Sequence, residues 1–171
     1  MQNYFELFDL EATFEIDDQA LSGAYQAQVS KFHPDKFASK SASEQLQALQ
    51  NTSLINSAYD ALKSPLERAG YLLTLQDINP FDEKDTHMDS HFLLEQIELR
   101  EQLEAIKSQK DELGLDDFIS NIQTHIGDNV ASLSNSFANS EDLATMKNSV
   151  RELKFYEQLK KEANRLMDEW L

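Results

Sequence analysis

The 171-residue chain has no cysteine, and it contains only four glycines and three prolines. Without cysteine there can be no disulfide framework, no thiolate metal site and no thiol nucleophile. Because helix breakers are few, long stretches are free to be helical, and apolar residues recur at helical spacing along almost all of them. We therefore predict an all-α protein.

Long apolar runs and a basic leader are also missing. No stretch reaches the roughly 18 consecutive apolar residues that a membrane span needs. The first residues lack the basic region followed by an apolar run that is typical of a signal peptide. These absences predict a cytoplasmic protein with no membrane partner.

Positive charge is scarce, with 15 basic residues against 31 acidic ones and a net charge of −16. This balance argues against a nucleic-acid partner, because phosphates would be repelled. Before residue 60 the only basic side chains are Lys31, Lys36 and Lys40, which surround the tripeptide His33-Pro34-Asp35. An acidic partner surface would be steered towards this basic spot.

The tripeptide lies between two segments with helical periodicity. Pro34 cannot continue the helix that ends at Phe32, and it moves His33 out of the α region. If the two helices pack antiparallel, His33 and Asp35 lie at an exposed tip, where binding residues usually occur. The apolar positions of the first helix, on one face, are Leu21, Tyr25, Val29 and Phe32, and the second helix runs through Leu46, Leu49, Ile55, Ala58, Tyr59 and Leu62.

The second half of the chain predicts a connector followed by a bundle. Residues 76–89 show little apolar periodicity, which indicates a connector. Three helical patterns follow, over 90–113, from Asp116 and from about Ser140, and three antiparallel helices form a bundle. The predicted core stripe of the first consists of Phe92, Leu99, Leu103, Ile106 and Leu113.

A second apolar cluster lies on the other side of the first bundle helix. At about 100° per residue, Leu93, Leu94 and Ile97 fall outside the core stripe, and Glu98 and Glu101 border them. Periodicity alone leaves two explanations open. The cluster either packs against the first domain or the connector, or it binds a partner.

The sequence gives little support for an enzymatic site or a metal site. His33 and Asp35 could be an acid–base pair, but an exposed tip does not exclude water, and no glycine-rich elbow holds a nucleophilic serine. We therefore predict no enzyme. His87 and His91 have the i,i+4 spacing of a metal site if that stretch is helical, although solvated side chains are the commoner explanation for such residues in a connector. No calcium loop or phosphate-binding motif is present, so we predict no cofactor.

Three motifs together resemble a J domain. They are Tyr4-Phe5-x-Leu7-Phe8, Phe32-His33-Pro34-Asp35-Lys36-Phe37 and Ile55-Asn56-x-Ala58-Tyr59-x-x-Leu62. The segment from Pro65 to Leu73 looks like the extension found in the HscB family of J-domain co-chaperones, and Phe92 to Glu101 is similar to the start of that family's C-terminal domain. The resemblance covers nearly the whole chain. It implies a J domain over 1–75, a connector over 76–89 and a scaffold-binding three-helix bundle over 90–171.

The resemblance also implies function and partners. Members of the HscB family stimulate the ATPase of an HscA-type heat-shock chaperone and deliver the iron–sulfur scaffold protein IscU to it, which here implies a role in the bacterial cytoplasm. The residues implied for binding the ATPase chaperone are His33, Pro34, Asp35, Lys31, Lys36 and Lys40. Those implied for binding the scaffold are Leu93, Leu94, Ile97, Glu98, Glu101 and Phe155. We expect Leu93, Leu94, Ile97 and Phe155 to form one patch. One departure concerns the helix before the tripeptide, which is usually strongly basic in J domains but here offers only Lys31.

Two other functions remain open. A general holdase would bind unfolded clients on the acidic bundle without an ATPase partner, and it should tolerate His33→Gln. A metal-responsive scaffold would use His87 and His91 and would show metal-dependent stability.

Overall fold

In the computed structural model, the described residues, 3–85 and 87–171, form eight α-helices and no β-strand. The predicted all-α class is confirmed. The helices divide into two compact units, Met1–Gln76 and Asp77–Leu171. Among the described helices, none combines the length and the apolarity that crossing a bilayer requires.

The first unit is built on a helical hairpin. Its helices are α1 (Tyr4–Leu7), α2 (Asp18–Lys31), α3 (Pro34–Phe37), α4 (Ala42–Leu62) and α5 (Pro65–Thr74). Tyr25 stacks on Tyr59 with ring centroids 4.1 Å apart, while the Thr52 hydroxyl donates to the carbonyl oxygen of Phe32 at 3.4 Å. The later residue of α2 therefore contacts the earlier residue of α4, which means that the two helices are antiparallel. Helix α3 lies in the loop between them.

A buried arginine fixes α5 against the rest of this unit. The guanidinium of Arg68 donates to the carbonyl oxygens of Phe14 at 2.6 Å and Leu62 at 2.7 Å. Burial lowers the pKa of Arg68, and the two carbonyl oxygens compensate for the water that the guanidinium loses. The surrounding core includes Phe5, Leu21, Ile55 and Leu73, each almost fully buried.

Leu46 and Leu49, two of the apolar positions of the second helical pattern, are not in the core. They are 56% and 63% exposed, whereas Ala48 is the buried residue of the same part of α4. At about 100° per residue, the two leucines lie 100–160° around the helix from Ala48. None of the described elements covers this apolar side of α4.

The second unit is a three-helix bundle, as predicted. Its helices are α6 (Ser90–Gln109), α7 (Glu112–Ala138) and α8 (Leu143–Trp170). The Tyr156 hydroxyl donates to Glu95, and Arg100 pairs with Glu162 at 3.2 Å. The later residue of α6 contacts the later residue of α8, so these two helices run parallel. Helix α7, which connects them, runs in the opposite direction. Ser140 has a φ of 50°, and α8 begins three residues later than predicted.

The junction between α6 and α7 also differs from the prediction. Lys110 adopts φ 50° and ψ 46° and ends α6, and the Asp111 side chain caps α7 by accepting a 2.9 Å hydrogen bond from a backbone N–H of its first turn. The first bundle helix therefore ends four residues before the predicted end at 113, and α7 begins four residues earlier than predicted. Leu113, predicted in the core stripe, lies on α7 and is 81% exposed. Hydrophobic spacing does not locate a cap, because capping depends on one side-chain hydrogen bond.

The predicted connector is anchored to α8. Lys147 forms an ion pair with the carboxylate of Asp85, and Arg151 donates to the carbonyl oxygens of Asp85 at 2.9 Å and His87 at 2.6 Å. The hydrogen bond from Lys147 lowers the pKa of Asp85. Residues 77–89 therefore belong to the second compact unit.

Candidate functional site

The tripeptide His33-Pro34-Asp35, which we call the corner, joins α2 to α3. His33 has φ −59° and ψ 136°, outside the α region as the following proline requires, and Pro34 is the first residue of α3. Nδ1 of His33 accepts a 3.2 Å hydrogen bond from the backbone N–H of Asp35, so the imidazole caps α3. Because Nδ1 is the acceptor, the neutral ring carries its proton on Nε2, which is then the donor for a partner.

The charged side chains of the corner are presented to solvent. Asp35 is 92% exposed, and its carboxylate lies 3.6 Å from Nδ1 of His33, too far for a hydrogen bond. Lys31, Lys36 and Lys40, which we call the corner lysines, are all exposed. The structure thus places all six predicted residues on one exposed loop and its flanking helix ends.

The corner is held from below by aromatic packing and by α4. The rings of Phe32 and Phe37 stack with centroids 6.4 Å apart. The Gln45 side chain of α4 donates to the carbonyl oxygens of Ala38 at 3.2 Å and Lys40 at 3.3 Å. These contacts restrict the loop on both sides of the tripeptide, so the corner is preorganised for binding.

The cluster of Leu93, Leu94 and Ile97, which we call the α6 patch, is exposed. The three side chains are 45%, 58% and 55% exposed, and both Glu98 and Glu101 beside them are exposed. Within the second unit, neither the connector nor the other bundle helices cover the cluster. Three adjacent large apolar side chains with an acidic border are typical of an interaction surface.

Phe155 differs from the prediction because it is not exposed beside the α6 patch. It is only 8% exposed and packs edge-on against Phe92 with centroids 5.6 Å apart. The guanidinium of Arg100 lies over its ring at 5.5 Å. Phe155, Gln96 and Arg100 line a surface cavity of about 420 Å³. Phe155 is therefore not part of one exposed patch with Leu93, Leu94 and Ile97, and it lies beneath Arg100.

A polar cluster on the opposite side of α6 was not found from the sequence. Oε1 of Glu95 accepts a 2.9 Å hydrogen bond from the Tyr156 hydroxyl and lies 3.5 Å from Nδ1 of His125. The rings of His125 and Tyr156 stack at 4.9 Å. Burial, together with the contact to Glu95, raises the pKa of Tyr156. Since each of the three helices contributes one residue, the cluster fixes the rotation of α6 and hence the direction of the α6 patch.

The negative charge of Glu152 on α8 destabilises the folded bundle, so removing this charge should increase the free energy of unfolding. Burial raises its pKa, and the negative charges of Glu95 and Asp89 raise it further. A raised pKa means that the contribution of the carboxyl to stability is present below its ordinary value of about 4.3 and is lost as pH rises through the folded value. We expect Glu152→Gln to increase the free energy of unfolding at pH 7, with the increase shrinking as pH approaches 4.

Urea unfolding followed by the fluorescence of Trp170, the only tryptophan, reports this unit. Glu104→Gln, which changes an exposed glutamate on α6, is the matched control and should leave stability nearly unchanged. A loss of stability in Glu152→Gln at pH 7 would contradict the burial argument.

A metal site formed by His87 and His91 would require both residues to lie on one continuous helix. His87 precedes α6, which begins at Ser90, and its carbonyl oxygen accepts from Arg151. The i,i+4 pair on one helix face is therefore not formed. Among the described residues, no group of three or more His, Asp or Glu side chains is arranged to hold a metal ion.

Comparison with known proteins gives concordant results. Residues 88–164 match a family model described as the HSCB C-terminal oligomerisation domain. The chain is 42% identical over 173 residues to the co-chaperone protein HscB homolog of Vibrio cholerae serotype O1, with 99% of each chain covered. The solved structure of chaperone HscB from Vibrio cholerae matches with a TM-score of 0.88 at 40% identity, covering 99% of this chain and 100% of that one. Human co-chaperone protein HscB matches with a TM-score of 0.89 at 26% identity, covering 96% and 81%.

Proposed function

The chain belongs to the HscB family of co-chaperones, and from this premise we propose that it stimulates the ATPase of an HscA-type heat-shock chaperone and delivers the iron–sulfur scaffold protein IscU to it. The corner is the observation that carries the proposal. His33 caps α3 through Nδ1 and leaves Nε2 as an outward donor, beside an exposed Asp35. An unstructured tripeptide would not hold the imidazole in this one orientation.

At the corner, the action is allosteric. The ATP-bound form of the chaperone docks there, and preferential binding to the hydrolysis-competent state shifts the chaperone towards that state. His33 donates a hydrogen bond, Pro34 fixes the backbone direction, and the carboxylate of Asp35 pairs with a basic group of the partner. The corner lysines steer an acidic surface towards the site.

At the second unit, the α6 patch binds the scaffold protein. Its three apolar side chains supply the water-excluding centre of the interface, and Glu98 and Glu101 form the polar rim. Phe155 supports this surface from below, through its contacts with Phe92 and Arg100. Because one chain carries both binding sites, it raises the effective concentration of the scaffold near the ATPase.

The proposal assigns no catalytic step to this chain. His33 and Asp35 lie at an exposed loop where nothing excludes water, so they act in binding, and no bound cofactor is part of the mechanism. We place this activity in the bacterial cytoplasm.

The direct test is ATP hydrolysis by an HscA-type chaperone with this protein added, with and without the scaffold protein. We expect clear stimulation by the protein alone and a further increase when scaffold is present, because two linked sites act on one ATPase. No stimulation by a folded protein would contradict the proposal, and suppression of client aggregation in the same preparation would then favour the holdase.

A further inference from the structure

Leu46 and Leu49 form an exposed apolar pair on α4, which we call the leucine pair. They are three residues apart, so their side chains are neighbours on one helix face. Both are more than half exposed. A single exposed leucine is common in soluble proteins, but two adjacent ones form a small apolar surface.

The leucine pair borders the side of α4 that holds the corner. Gln45, one turn before Leu49, donates to two carbonyl oxygens in the loop after α3. Thr52, three residues after Leu49, donates to the carbonyl oxygen of Phe32, which precedes the corner. Since residues one turn apart share a helix face, Leu49 lies next to the strip of α4 that contacts this loop.

We propose that the leucine pair extends the docking site of the ATPase chaperone, by contacting an apolar surface on that chaperone next to the acidic surface that meets the corner lysines. This inference rests on the proposed function of the corner and adds an apolar contact to it. The occupant is therefore the same partner, and the pair and the corner form one continuous surface.

The charge distribution explains why an apolar contact is needed here. The first 75 residues carry 10 acidic and 5 basic side chains, and only the three corner lysines serve the docking site. Ion pairs between exposed flexible side chains contribute little, because water and salt screen them. Binding energy at interfaces comes mainly from a few well-packed side chains surrounded by a polar border. The leucine pair has this arrangement, because Gln45, which precedes Leu46, donates to the backbone carbonyl oxygen of Lys40.

The test is a titration of the full-length double variant Leu46→Ser/Leu49→Ser against the HscA-type ATPase. We expect the concentration for half-maximal stimulation to rise about 10-fold, while the maximal rate, which depends on the corner, stays that of the wild type. Leu54→Ser is the matched control, since Leu54 is an exposed leucine on a different side of the same helix, and it should titrate as the wild type. Leu49→Gln alone should give a smaller shift of about threefold.

His33→Gln, measured in parallel, separates the two proposals. If His33→Gln abolishes stimulation and the folded double variant titrates as the wild type, the leucine-pair inference is wrong and the function stands. If the wild type gives no stimulation, the proposed function fails and the inference fails with it. Loss of concentration-dependent self-association in sedimentation velocity, with an unchanged titration, would assign the pair to a second copy of this chain and overturn the inference.

Discussion

His33→Gln should reduce the stimulation of an HscA-type ATPase by about 10-fold or more, which corresponds to at least about 1.4 kcal/mol of coupling free energy. The imidazole performs two tasks from opposite sides of one rigid ring. Nδ1 accepts the N–H of Asp35, and Nε2 points outward as a donor. A glutamine side chain is longer and flexible, so it cannot cap α3 and donate in the same fixed direction.

The measurement is steady-state phosphate release at saturating co-chaperone. His91→Gln is the matched control, because it makes the same change at an exposed histidine of the other unit, and it should retain full stimulation. Since α3 has only four residues and lies at the surface, the variant should fold, and circular dichroism checks this. Undiminished stimulation by folded His33→Gln would remove the corner from the docking site and leave the holdase as the better account.

Leu94→Ser/Ile97→Ser should weaken scaffold binding by about 30- to 1000-fold, since two apolar anchors at the centre of an interface contribute about 2–4 kcal/mol together. The substituted side chains are 58% and 55% exposed, so the free protein loses little packing when they are shortened. The variant should therefore remain folded, and the loss should appear only in binding.

Isothermal titration with purified scaffold protein measures this effect. Leu113→Ser, at an exposed leucine of α7 outside the α6 patch, is the matched control and should bind as the wild type. Stimulation of the ATPase without scaffold should be unchanged in the double variant, whereas His33→Gln should retain scaffold binding. Equal affinities for the wild type and the folded double variant would show that the α6 patch is not the scaffold site.

The corner was predictable from the sequence because its geometry is local. Proline restricts the residue before it and cannot continue a helix, so Pro34 alone requires a break between α2 and α3. The all-α class and the three-helix bundle were predictable for a related reason, since apolar periodicity reports which side of a helix is buried. The family resemblance rested on contiguous motifs, and the full-length similarity to HscB proteins confirmed it.

The same patterns do not predict which apolar residues are buried. Leu46 and Phe155 both lie on long helices, yet Leu46 is exposed because no described element covers that side of α4, and Phe155 is buried because it meets Phe92 from another helix. The anchoring of Asp85 by Lys147 likewise joins residues far apart in the chain. Burial depends on which elements meet in space, and periodicity within one element does not contain that information.

The sequence by itself therefore determined the all-α class, the break in the chain at Pro34 and the family. The tertiary structure decided the exposure of the leucine pair, the burial of Phe155 and the anchoring of residues 77–89. The physical reason is range. Backbone restriction and helical periodicity act within a few residues, whereas coverage of a side chain and pairing of a charge require partners that only the packing of separate helices supplies.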